Sequence, residues 1–295
     1  DLSKTMISIN DITGKVHQFL LSDFMTQADL DQILADIKTG KSTFNSVTLD
    51  QKADYLGMQK TKGTSLEKGD ISLSFIEDSQ VFAEQNTSIK SFLGNSPTLL
   101  NASQATNFIF EVQNLTTDKI DPVNNIDSKA KVKDRLQAIQ NFGGKLVFKQ
   151  CENPIYESTL RKVDSQMPEI LADALIGFFS KTFGNRLSQF ADKTYTDDKA
   201  DQVHCRLKDF VKSTMLGIFP THEWDGNLTA NSILLVNEQG ELVFYHTNKD
   251  SILKEFFYQH TFFDTPSTSR HRFGNLYQEN GKLYFKLNLQ LRLAQ

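Results

Sequence analysis

The chain is short of the features that mark secreted, membrane-spanning or wholly basic proteins. It has two cysteines in 295 residues, Cys151 and Cys205, far apart and without the spaced partners of a metal site. That excludes a disulfide scaffold and fits a reducing compartment, the cytoplasm. No apolar run reaches the roughly 20 residues needed to cross a bilayer. The strongest apolar stretch, Ile170 to Phe179, is interrupted by Asp173 and reads as a buried helix. Nothing at Asp1 and beyond resembles a charged-then-apolar export signal. Positive charge is not in excess either: 32 Lys and Arg face 36 Asp and Glu, a net charge of −4. A surface that is basic all over is excluded, although a local basic cleft is not. With one Trp against 23 Phe, the expected core is built on phenylalanine. Internal repeats and low-complexity tracts are missing.

The length and a hydrophobic content of 39% suffice for a full core, as one large domain or two small ones. Charge is unevenly spread. From Pro266 to Gln295 the only acid is Glu279, beside Arg270, Arg272, Lys282, Lys286 and Arg292.

Hydropathy patterning sets the expected elements. A helix over Gln27 to Lys38 would put Leu30, Ile33, Leu34 and Ile37 on one face. Alternation predicts strands over 70–76 and 81–90, joined through Glu77-Asp78-Ser79-Gln80, and over 107–112. The middle of the chain reads as helical: 128–142 ending at Gly143-Gly144, 168–183 with Pro168 near its start, and 200–216 closed by Gly217. From Ile233 onward the pattern turns to strands, and 282–293 alternates without a break.

The chemistry-bearing stretch is 84–107. A strand-like run ends on Lys90 and opens into hydroxyl and amide side chains, while Asp70 starts the preceding strand. An acid and a lysine on paired strands suit metal-dependent phosphodiester hydrolysis: the carboxylate holds a divalent cation and the lysine orients or activates the attacking water. Ser91, Asn101, Ser103, Gln104, Thr106 and Asn107 are suited to phosphate oxygens and base edges, or to satisfying their own backbone as a solvated loop. The turn with Ser269, Arg270, His271 and Arg272 suits guanine reading, or is a solvated basic turn. Gln290 lies on the last polar face, directed to DNA or to water. His204, Cys205 and His222 match no zinc spacing, Trp224-Asp225-Gly226 reads as a packed turn, and Thr87-Ser88-Ile89-Lys90 lacks the partner motifs of an acyl-transfer enzyme.

Several segments together resemble the HpaII family of type II restriction endonucleases. They are Lys68-Gly-Asp-Ile, Ser88-Ile-Lys-Ser-Phe-Leu-Gly, Pro97-Thr-Leu-Leu-Asn-Ala-Ser-Gln-Ala-Thr-Asn-Phe, Val163-Asp-Ser-Gln-Met-Pro-Glu-Ile-Leu, Trp224-Asp-Gly, Thr265-Pro-Ser-Thr-Ser-Arg-His-Arg-Phe-Gly and Phe285-Lys-Leu-Asn-Leu-Gln-Leu-Arg. They run in the family's order from about residue 40 to the C-terminus. The resemblance implies an α/β (α+β) fold: a PD-(D/E)xK-like nuclease core of mixed sheet flanked by helices, with extra C-terminal strands. It implies Mg²⁺ as cofactor, double-stranded DNA cut at a short CG-rich palindrome such as CCGG, a homodimer, and a cognate DNA methyltransferase in the same system.

Within it, Asp70 matches the metal-binding aspartate and Lys90 the catalytic lysine. Ser88 stands two before the lysine, a serine in this family's pattern too, where related nucleases carry Asp or Glu, so a second metal-binding acid is sought elsewhere: Glu111, with Glu84 behind it. The expected organisation is one restriction-endonuclease domain with an N-terminal helical part (1–46), a catalytic core (47–125), a helical part (126–218) and a strand-rich recognition part (219–295). The chain departs from the pattern in starting downstream of an N-terminal Gly-Glu-Trp-Ser-Glu stretch and in having Ala230-Asn231 where a Gly-Gly is associated with the segment after Trp-Asp-Gly. Two other readings use the same residues: a DNA-binding protein of this fold without catalysis, and an unrelated interaction protein.

Overall fold

The computed structural model of the chain describes residues 5–9, 16–20, 68–77, 80–246 and 250–294, with a few single positions between 22 and 35. The apolar face expected on 27–38, the segment 47–66 and the turn residues Asp78 and Ser79 lie outside the described residues.

Strands β1 (Thr5–Ile9) and β2 (Val16–Leu20) form an antiparallel pair. Four strands make the sheet that carries Asp70 and Lys90: β3 (Ile71–Glu77), β4 (Gln80–Ser91), β8 (Ser232–Val236) and β9 (Leu242–His246), in the order β3-β4-β8-β9. β3 and β9 pair antiparallel to their neighbours, and β4 runs parallel to β8 with Lys90 opposite Leu235. A parallel pair needs a crossover, and here residues 92–231 supply it. That crossover holds β5 (Thr98–Leu100), β6 (Asn107–Gln113), β7 (Lys145–Cys151) and helices α1 (Ile120–Asn124), α2 (Lys131–Asn141), α3 (Pro154–Val163), α4 (Met167–Ser180), α5 (Leu187–Thr194) and α6 (Asp197–Leu216). After β9 come α7 (Asp250–His260), β10 (Thr261–Phe263), α8 (Thr268–His271), β11 (Leu276–Glu279), β12 (Lys282–Asn288) and β13 (Leu291–Leu293). These complete a sheet β11-β12-β6-β7 and a small sheet β10-β13-β5. The fold is thus a mixed α/β arrangement of several sheets with helices, as expected.

One hydrophobic cluster runs from Phe92 to Leu293 and is rich in phenylalanine. Phe108, Phe110, Phe190, Phe210, Phe257, Phe273 and Phe285 are fully buried, and each such ring contributes about 1.5–3 kcal/mol by leaving water. α4 has Pro168 in its first turn and stops at Lys181, which adopts φ 61°. Trp224 is buried in a packed turn, its indole N–H donating to the Asn227 carbonyl at 2.6 Å.

Several elements differ from the pattern reading, beginning with β1 and β2, which pair within the part (1–46) expected to be helical. β7 falls inside the stretch expected to be helical. Gly143 turns left-handed at φ 85°, and a Cβ on Gly144 would lie 2.7 Å from Ile139, so only glycine lets the chain leave α2 directly into a strand. α7 falls where strands were expected, with Leu253 and Phe257 buried one turn apart. The alternation over 282–293 is not one strand. Leu287, Asn288 and Leu289 are buried in succession, the Leu289 N–H donates to the Thr106 carbonyl, and β13 pairs with β5 and β10 instead. Alternating hydropathy continues through the break, so the pattern carries no mark of it.

Candidate active site

The β-period places Ser88 and Lys90 on the same face of β4. Asp70 stands at the entrance to β3 and is fixed beside them by backbone pairing, its N–H donating to the Thr87 carbonyl at 2.8 Å. A Cβ on Gly69 would lie 3.0 Å from the Asn86 side chain, so glycine permits this close approach. The Asp70 carboxylate accepts on Oδ2 from the Ile89 N–H at 2.6 Å and from the Ser88 hydroxyl at 3.3 Å. Ser88 Oγ in turn accepts from Lys90 Nζ at 3.0 Å. Acid, hydroxyl and ammonium form a chain, and no direct ion pair joins Asp70 to Lys90 among the described residues. Ser88, 1% exposed, is the bridge. The Ser88 hydroxyl donates to the carboxylate and accepts from the lysine at once.

Lys68 belongs to the same cluster and was not picked out from the sequence, although it stands two residues before Asp70. Its N–H donates to Thr229 Oγ1 at 3.1 Å and its ammonium lies 4.3 Å from the Phe219 ring centroid. Burial and the like charge of Lys90 push its pKa down to about 8, against the pull of Asp70. Burial also lowers Lys90, again opposed by Asp70. Two ammonium groups and one carboxylate give the cluster a positive bias suited to an anion.

The other expected site residues separate into groups. Glu111 lies on β6, in a different sheet, and its carboxylate accepts from Lys282 at 3.0 and 3.1 Å. The side chain of Glu84 lies outside the described residues. Asn101, Gln104, Ser269, Arg270 and Arg272 are exposed. Ser91 is half-buried, its hydroxyl accepting from the Leu93 N–H at 3.3 Å. Gln290 is half-buried, its backbone carbonyl accepting from the Asp264 N–H. Thr106 and Asn107 are fully buried and hold the framework. Asn107 donates to Glu152 at 2.6 Å and to the His271 carbonyl at 2.9 Å, and accepts from Asn288 at 2.6 Å. The Ser103 carbonyl accepts from Thr106 and Asn288. Burial, helped by Arg270, lowers the His271 pKa. Glu152 is a second residue that the sequence did not single out; it also accepts from Lys286 at 2.7 Å, which removes that lysine from the supposed open polar face.

A family profile described as HpaII restriction endonuclease matches residues 2–293. The chain belongs to this family. The type II restriction enzyme HpaII of Haemophilus parainfluenzae is 32% identical over 288 residues, covering 92% of this chain and 78% of the relative. No solved structure matches. Membership of the HpaII family makes the chain a restriction endonuclease, a type II site-specific deoxyribonuclease of a restriction–modification system.

Among the described residues no three His, Cys, Asp or Glu side chains gather into a ready cation cage. That donor set still fits Mg²⁺, which keeps several waters and is held by one or two carboxylates plus substrate phosphate. Among the described residues, both hydrogen bonds to the exposed Asp70 carboxylate fall on Oδ2, which leaves Oδ1 as the oxygen that could face a cation. No helix among the described residues is long and apolar enough to cross a membrane.

Proposed function

We propose that the chain cuts both strands of duplex DNA at a short CG-rich palindrome such as CCGG, with Mg²⁺ held at Asp70 in a PD-(D/E)xK-like core. The observation that carries this reading is the Asp70–Ser88–Lys90 chain on adjoining strands. Bound Mg²⁺ supplies charge neutralisation at the scissile phosphate and a more acidic water.

The chain's own groups supply the rest. Ser88 holds the Lys90 ammonium beside the carboxylate instead of letting the two collapse into a closed ion pair. Lys90 is then placed to orient the attacking water and to offset the charge that grows on the phosphoryl oxygens as the P–O bond to the leaving oxygen breaks. Lys68, seated over Phe219 and close enough to feel Lys90, adds positive charge to the same place. Base reading falls to the exposed side chains Asn101, Gln104, Arg270 and Arg272, and a palindromic site calls for two copies of the chain related by a two-fold axis. Cytoplasmic DNA of the host would need a cognate methyltransferase for protection.

Digestion of a mapped plasmid with Mg²⁺, followed by sequencing of the cut ends, tests the proposal. Discrete fragments ending within one CG-rich palindrome are expected. Intact plasmid, or fragments with random ends, would overturn it.

A further inference from the structure

Beyond the active site, the start of α2 and the loop before α8 enclose a cleft of about 490 Å³ that contains none of Lys68, Asp70, Ser88 or Lys90. Among the described residues its lining carries four lysines, Lys129, Lys131, Lys133 and Lys181, and no carboxylate. Lys131 gives its charge to Asp127 at 3.0 Å, whereas Lys129, Lys133 and Lys181 are exposed. The facing wall includes Ser267, Thr268 and Ser269, followed directly by Arg270, with the Ser267 hydroxyl 3.1 Å from that of Ser269 and accepting from the Arg270 N–H.

The two walls are fixed to each other. Arg135, 6% exposed on α2, donates to the Gly274 carbonyl at 2.7 Å and to Asn275, just beyond α8, and also to the Asn124 carbonyl at 2.6 Å and the Ile126 carbonyl at 3.0 Å. Val132 packs against Gly274, where even a Cβ would come within 3.0 Å. The hydroxyl wall is tied to the candidate base-reading loop as well, through the Asn107 bond to the His271 carbonyl. A guanidinium buried for the sake of four acceptors holds the lysines and hydroxyls at a set spacing.

We infer that this cleft is a docking groove for the sugar–phosphate backbone of duplex DNA, outside the base pairs that the enzyme reads. Lysine ammoniums and Ser/Thr hydroxyls are the groups that contact phosphate oxygens without sequence information. A chain of net charge −4 repels DNA as a whole, so its affinity must come from local groups of this kind. The inference rests on duplex DNA as substrate, and its test is chosen to be separable from the cutting reaction.

Binding of a duplex lacking the cognate site is measured in EDTA over a range of salt concentrations. It compares the unaltered protein with Lys129→Gln/Lys133→Gln/Lys181→Gln and with Lys193→Gln/Lys199→Gln, two exposed lysines elsewhere. Each lost phosphate contact removes about 0.9 from the slope of log K against log salt. The triple variant should lose roughly 2 to 3 from the slope and bind at least tenfold more weakly at about 0.1 M salt, while the control pair changes little. An unchanged slope in the triple variant would overturn the inference. A second measurement uses the unaltered protein: lysine acetylation with and without the duplex, read by mass spectrometry. Protection at Lys129, Lys133 and Lys181 supports the groove, and equal labelling with and without DNA overturns it. Failure of the unaltered protein to cut DNA with Mg²⁺ would instead sink the nuclease reading, a separate result.

Discussion

At the scale of single residues, the site depends on the Ser88 hydroxyl. Ser88 sits between the carboxylate and the ammonium, so its loss should cost less than the loss of either charged group. Lys90→Ala should slow Mg²⁺-dependent cleavage by about 10²- to 10³-fold while DNA binding stays within about tenfold, because the ammonium acts mainly on the transition state. Ser88→Ala keeps both charged groups but loses their alignment, and a loss of about 10- to 100-fold is expected. Single-turnover rates and equilibrium binding separate the two, and a fully active Lys90→Ala would remove that lysine from the mechanism.

Asp70→Asn should lose activity as deeply as Lys90→Ala, since an amide is a poor Mg²⁺ ligand. Glu111→Gln should cut within a few-fold of the unaltered protein, because the Glu111 carboxylate is held by Lys282 on another sheet. An exposed pair of this kind is worth little to stability. A Glu111→Gln loss as deep as that of Asp70→Asn would return Glu111 to the metal site.

Arg270→Ala tests base reading. A bidentate guanine contact is worth about 1–3 kcal/mol and its loss relaxes choice at one base pair. An even loss over all single-base variants of the site would mean that Arg270 touches only the backbone.

At the scale of elements, the strands that carry the chemistry were legible because alternation is a strong signal when one face is buried. β3, β4 and β6 fall within a residue or two of expectation, and the acid and lysine meet as the hairpin required. What was not legible depends on contacts far apart in sequence. The break between β12 and β13 is made by the Leu289 bond to Thr106, which no local pattern encodes. Asn107 and Thr106 read as parts of a polar loop, yet both are buried: Asn107 bonds His271 of α8, Glu152 and Asn288, and Thr106 bonds Ser103 and Asn288. Lys68, a lysine beside a glycine, carries no signal in the sequence until Phe219, more than a hundred residues on, is seen beneath it. Asn107→Ala should therefore destabilise the protein by about 1–3 kcal/mol, as buried partners lose their donor and acceptor. Thermal unfolding should show a lower midpoint, with weakened binding to every sequence alike. An unchanged midpoint with altered base preference would make Asn107 a reader instead of a framework residue.

At the scale of the whole molecule, one chain presents one Asp70–Lys90 cluster, while a palindrome offers two scissile phosphates related by a two-fold axis. A single copy would have to release DNA, turn round and bind again to finish the cut, leaving nicked circles as a lasting intermediate. A two-fold pair presents both clusters in one binding event. With supercoiled plasmid carrying one cognate site, the dimer predicts linear product appearing with little nicked circle at saturating enzyme. Sedimentation of the enzyme with a short cognate duplex should give two chains per duplex. Nicked circles that build up and then decay, together with one chain per duplex, would show that the two strands are cut in separate encounters. The exposed arginines would then be reading half a site at a time.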